Sequence, residues 1–119
     1  MATLRITTRL RNDTDAFERQ IAGTSVTTTG AHFDWRRVSV GTTEESFSIS
    51  GDLTNGTGFA HFFNADSTNY VQVGIGTGSY FMRLKAGEHA VLPLDNAVTT
   101  LYLKANTASV DLEIYVTER

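Results

Sequence analysis

The chain has 119 residues, a formal net charge of −3 and no Cys, which excludes a disulfide frame, a thiolate metal site and thiol catalysis. Its length fits one domain of the usual ~100–150 residues, and a hydrophobic content of 40% fits a packed core rather than a disordered polar chain. The basic residues are scattered, and Arg9, Arg11 and the pair Arg36-Arg37 make no continuous positive stripe, so direct nucleic-acid binding is not expected.

The opening MATLRITTRLRNDT lacks the apolar run of about 7–15 residues that marks a secretory signal, and no stretch approaches the roughly 18 apolar residues of a membrane span. The chain is expected to stay soluble in the compartment where it is made. Leu4, Ile6 and Leu10 suggest a first strand. Residues 12–20 read either as a short helical turn, with Asp15 and Glu18 at capping-box spacing, or as a polar loop. Ile21 and Val26 mark a short strand in a Thr-rich stretch. Residues 1–30 are expected to be an arm or peripheral segment of the domain.

From Phe33 to Val40 the alternation slips: Phe33 and Trp35 share one parity, Val38 and Val40 the other, which predicts a bulge near Arg36-Arg37. Phe47 and Ile49 alternate with serines, Gly51-Asp52 ends that run, and Asn55-Gly56 signals a turn. Residues 58–64, GFAHFFN, are apolar on both strand faces, so this strand is either sandwiched between layers or covered by a partner. Val71, Val73 and Ile75 share one face, as do Tyr80, Met82 and Leu84. Pro93 places the run from Ala90 to Leu94 at a sheet edge. Leu101 and Leu103, then Val110, Leu112, Ile114 and Val116, give the clearest period-two strands. About eight short strands and turn signals every ~8–12 residues predict an all-β, single-domain antiparallel β-sandwich or jelly roll spanning residues 1–119.

Between two of these strands lies Gly74-Ile75-Gly76-Thr77-Gly78-Ser79. A dinucleotide loop needs Gly-x-Gly-x-x-Gly opening a helix, and a triphosphate loop needs a Lys followed by Ser or Thr. Neither is present, and Tyr80-Phe81-Met82-Arg83-Leu84 continues as a strand. The glycines are expected to turn the chain. His32, His61 and His89 lack the His-x-His spacing of a cupin metal site and read as surface or strand-edge residues. Glu44-Glu45, Asp13 and Asp15 lie in polar segments and read as solvated charge. No Gly-x-Ser-x-Gly elbow occurs, and residues 64–69, NADSTN, read as an Asx-rich turn before a Ca²⁺ loop. No catalytic group, cofactor or metal site is expected, and the protein is read as a non-enzyme.

The aromatics carry more. Phe59, Phe62, Phe63, Tyr70, Tyr80 and Phe81 crowd the centre of the chain on both strand faces, and a small sandwich has one interior. Some rings must therefore meet solvent, an edge or another chain. Trp35, Phe62, Tyr70, Tyr102 and Tyr115 are the candidates for partner or oligomer contact.

Residues 64–74 (NADSTNYVQVG), 81–88 (FMRLKAGE), 92–94 (LPL) and 101–113 (LYLKANTASVDLE) run in an order that resembles small virion proteins of tailed double-stranded DNA bacteriophages. The resemblance covers about half the chain and rests on turn and strand residues. It implies a capsid cement or decoration protein, made in the bacterial cytoplasm and carried in the virion. Such a protein binds the major capsid protein lattice or neighbouring virion proteins from outside the head. It is expected to be a homo-oligomer, with a trimer favoured, and to contact neither membrane nor nucleic acid. The alternatives are a head–tail or tail component and, from another class, a carbohydrate-binding sandwich module using Trp35, Tyr70, Tyr102 and Tyr115.

Overall fold

A computed structural model describes residues 2–14, 16–28, 30, 32–49, 53 and 56–119. These form an all-β molecule of three antiparallel sheets. Strands β1 (Ala2–Asn12) and β2 (Phe17–Thr28) pair only with each other. A four-stranded sheet runs β3 (Phe33–Val40), β10 (Val110–Glu118), β5 (Thr57–Asn64), β8 (His89–Pro93). A second runs β4 (Glu45–Ser48), β9 (Thr100–Ala105), β6 (Val71–Gly76), β7 (Ser79–Leu84).

The two larger sheets are the layers of the expected β-sandwich. Alternation sends Val40, Phe62, Leu112, Ile114 and Val116 inward from the first sheet, and Val71, Val73, Leu101 and Leu103 inward from the second, all buried. Asn64, a polar side chain that enters this core from β5, is fully bonded. Its Nδ2 donates to the carbonyls of Asn69 and Leu84, each at 2.9 Å, and its Oδ1 accepts the Asp66 N–H. Pro93 lies on β8, an edge strand, where a missing N–H is harmless.

The glycine-rich segment is a hairpin between β6 and β7, with Gly78 at φ +67°. The Gly78 N–H that a phosphate would use instead donates to Glu44 Oε1 at 2.7 Å. The register shift around Gly74 turns Ile75 out of the Val71–Val73 face and leaves it exposed, correcting the expected face.

One other expectation changes. Strand β3 contains no bulge: it pairs with β10 in unbroken register from Val40↔Val110 to Phe33↔Thr117. The parity slip instead reflects apolar residues on opposite faces, with Val38 and Val40 directed inward and Phe33 and Trp35 outward. Of the two readings of residues 12–20, the described residues 12–14 and 16–20 favour the polar turn over the helical one, with β2 beginning at Phe17. Asn12 Oδ1 accepts the Thr14 N–H at 3.0 Å, and Glu18 is a strand residue paired with Arg9 at 2.9 Å. The expected roles of Asp15, Gly51, Asp52 and Asn55 fall outside the described residues.

Candidate functional site

The β1–β2 ribbon is longer than any strand pair of the sandwich, yet among the described residues no third strand joins it. Isolated two-stranded hairpins are marginal in water unless one face is covered. Facing pairs of an antiparallel ladder share a face, so register sorts the side chains. Leu4↔Val26, Thr8↔Ile21, Leu10↔Arg19 and Asn12↔Phe17 put Leu4, Ile6, Leu10, Phe17, Ile21 and Val26 on one face. Arg5↔Ser25, Arg9↔Gln20 and Arg11↔Glu18 give the other face a polar, arginine-rich character.

A bulge produces this sorting. Between Ile6 and Thr8 the register slips by one residue on β2, where Gly23 takes φ +68° and donates its N–H to Thr7 Oγ1 at 3.2 Å. Were the ladder regular through Gly23, with no bulge, Ile21 and Phe17 would face the arginine side. On the ribbon's apolar face Leu10, Phe17 and Ile21 are 67%, 51% and 49% exposed.

The ribbon is rooted where its exit meets the end of β10. Gly30 N–H donates to the Arg119 carbonyl at 3.2 Å, and Glu118 N–H to the His32 carbonyl at 3.0 Å. The Glu118 carboxylate is fully buried and accepts the His32 N–H at 3.1 Å, with His32 Nδ1 3.2 Å from the same oxygen. Thr28 Oγ1 donates to the Gly30 carbonyl at 2.6 Å. An open apolar cleft of about 240 Å³ separates the ribbon's base, at Leu4 and Ile6, from Phe59, His61, Val91 and Tyr115.

Those four residues belong to the outer face of the first sheet. One row crosses all its strands, Trp35↔Tyr115↔His61↔Val91, and Phe33 stacks on Tyr115 at 5.5 Å between ring centroids. Phe33 and Trp35 are 57% and 60% exposed. Below the row, Arg37 pairs with Asp111 at 3.3 Å and lies 3.9 Å from Glu113. His61 adjoins His89 at 6.0 Å between rings; partial burial, then the positive charge of His89, holds the His61 pKa below its ordinary 6.5 against the pull of Glu113.

Of the residues singled out in the sequence, Trp35 and Tyr115 come together on this face as direct cross-strand neighbours. Tyr102 projects from the second sheet, opposite Gly74 and Ser46. Tyr70 precedes β6, with the Arg83 guanidinium 4.3 Å over its ring. Neither joins the Trp35–Tyr115 row. Phe62 is corrected: it is 0% exposed, because on β5 it alternates inward while Phe59, His61 and Phe63 point out, so it presents no surface to a partner. Phe33, Val91 and the ribbon's Leu10, Phe17 and Ile21 were missed as contact candidates. Their signal was the opposed parity of β3 and, for the ribbon, an alternation interrupted at Gly23.

Among the described residues no group of three His, Asp or Glu side chains is placed to hold a metal ion. In the loop at 64–69, Asp66 Oδ2 accepts the N–H groups of Thr68 and Asn69 at 3.0 and 2.6 Å. These bonds lower its pKa and commit the carboxylate to an Asx turn. What the outer sheet face and the ribbon offer is apolar area with a few placed charges, which suits binding a macromolecular surface. Comparison with family models, curated proteins and solved structures gives no match for this chain.

Proposed function

We propose that this chain is a structural protein of a tailed-phage virion, a capsid cement or decoration protein that binds the outer head lattice and stabilises it without catalysis. The observation that carries the reading is the unpartnered apolar ribbon face beside an aromatic sheet face, on a fold whose described polar clusters are spent on turns and ion pairs. The resemblance over residues 62–118 supports the virion assignment, and a head–tail or tail station would use the same surfaces. A protein that binds an assembled lattice more tightly than free subunits stabilises the lattice by linkage, and many weak contacts on one shell add through multivalency. No reactive group is required.

The test is co-sedimentation of the purified chain with expanded heads of the phage that encodes it, against free coat subunits. Binding to heads with little binding to subunits is expected. Absence from the heads, with the chain found on tails or absent from virions altogether, would replace the cement reading. A carbohydrate-binding module is the second reading, favoured by Trp35 lying directly across from Tyr115 on an open sheet face where a sugar ring could stack. Saturable glycan binding abolished by Trp35→Ala would support it.

A further inference from the structure

Two apolar surfaces of this chain remain uncovered, and they match. The distal ribbon presents Leu10, Phe17 and Ile21, and its described charge on that face is Arg19. The outer sheet face presents Phe33, Trp35 and Tyr115, with Asp111 and Glu113 sharing the single Arg37. One face is thus apolar with a surplus positive charge, the other apolar with a surplus negative charge. The same sign difference holds for the whole segments. Residues 1–28 carry four Arg against two Asp and one Glu, net +1, while residues 29–119 carry six Lys and Arg against ten Asp and Glu, net −4.

Within one chain the two surfaces do not meet. The ribbon's base approaches Phe59, His61, Val91 and Tyr115, leaving the cleft between them, and its distal half remains exposed. We infer that the ribbon of one copy docks its apolar face on the outer face of the β3-β10-β5-β8 sheet of a second copy, Leu10, Phe17 and Ile21 covering Phe33, Trp35 and Tyr115. A second copy covers both surfaces with one kind of contact, a positive apolar ribbon on a negative apolar sheet face. The contact is heterologous, ribbon to sheet, so repetition closes a ring when the rotation allows and reciprocal exchange gives a dimer. This inference uses the same ribbon and sheet faces as the virion reading but needs only the chain itself: once copies are joined through them, a head lattice meets the assembled oligomer rather than these faces of a lone protomer.

The experiment uses the full chain in light scattering after size exclusion. Two variants are made at residues exposed in the protomer, so that folding is retained and can be checked by thermal unfolding. The ribbon variant is Leu10→Asp with Ile21→Asp, and the sheet variant is Trp35→Asp. The wild type is expected to run at two or more times the 13.0 kDa chain mass, and each variant alone as a folded monomer. A mixture of the two should form a mixed complex, because the ribbon variant keeps a good sheet and the sheet variant a good ribbon. A monomeric wild type would overturn the inference. So would one variant that associates like wild type, since an associating sheet variant means ribbon-to-ribbon contact and an associating ribbon variant means sheet-to-sheet contact. So would two monomeric variants whose mixture stays monomeric. Failure of head binding with the mixing result intact would remove the virion reading alone.

Discussion

Glu118 occupies the space that a side chain on Gly30 would need: a Cβ built on Gly30 falls within the Glu118 carboxylate. Glu118 is a buried acid near the end of β10, an inner strand of its sheet, and it accepts the His32 N–H. The absence of one methyl group therefore lets a buried carboxylate tie the ribbon's exit to the sandwich. Gly30→Ala should displace it and cost about 1–3 kcal/mol, the usual penalty for overfilling a packed site. Urea melts of the variant check this, and an unchanged midpoint would mean that the ribbon's root tolerates the shift.

The core should respond very differently from the outer face. Leu112 is 0% exposed between the sheets, so Leu112→Ala should cost about 2–5 kcal/mol. Trp35→Ala, at a site 60% exposed, should change protomer stability by no more than ~0.5 kcal/mol. Comparing the two in a monomeric background, such as the ribbon variant, separates folding from association. Equal losses would contradict the assigned faces of β3 and β10.

Acid should weaken the fold in two windows. His61 has a lowered folded pKa, first from burial and then from His89. The unfolded chain therefore binds the proton more readily, and stability is lost as pH falls through 6.5 and below. Glu44 and Asp66 are lowered by accepted hydrogen bonds, so their contribution is present above their ordinary 4.5 and 3.8 and disappears as pH falls below those values. Denaturant midpoints across pH 3–8 should decline in both windows, and His61→Gln should flatten the upper one only. A flat upper window in the wild type would show that His61 titrates alike in both states.

Tyr80 donates its hydroxyl to Glu44 Oε1 at 2.5 Å, and that bond, followed by burial and the carboxylate charge, raises its pKa to about 12. In an ultraviolet titration of the folded protein one phenol should resist ionisation until that range. Glu44→Gln should move it back toward 10.0. If the high-pH phenol persists in that variant, the acceptor is some other group.

The sandwich was legible because β9 and β10 keep strict alternation, Leu101 with Leu103 and Val110 through Val116, and one buried face imposes that pattern. The contact surface was half legible. Trp35 and Tyr115 stood out as aromatics, but nothing local distinguishes Phe62, which fills the core, from Phe59 and Phe63, one residue out of phase on the same strand. In β3 the shift from Phe33 and Trp35 to Val38 and Val40 resembles a bulge, since both produce the same parity change. Arg36 settles the difference: it points inward at the sheet edge, its guanidinium 4.8 Å over the Phe47 ring and bonded to Asp34 at 2.7 Å. The ribbon was least legible, because the residue inserted at Gly23 breaks the alternation of Ile21 with Val26 that would have announced one apolar face.

The root of the ribbon also decides how the molecule bears load. A pull on the ribbon is delivered through residue 30 and His32 to the start of β3, where that strand lies against the far end of β10. Directed along the strands, it is resisted in shear by the whole ladder from Phe33↔Thr117 to Val40↔Val110 together. Directed away from the sheet, the same force meets those pairs one after another, as a zip. Forced unfolding is governed by the rate at which such a barrier is crossed, so the angle at which the ribbon is held, more than the strength of its grip, sets how long the sandwich survives under tension.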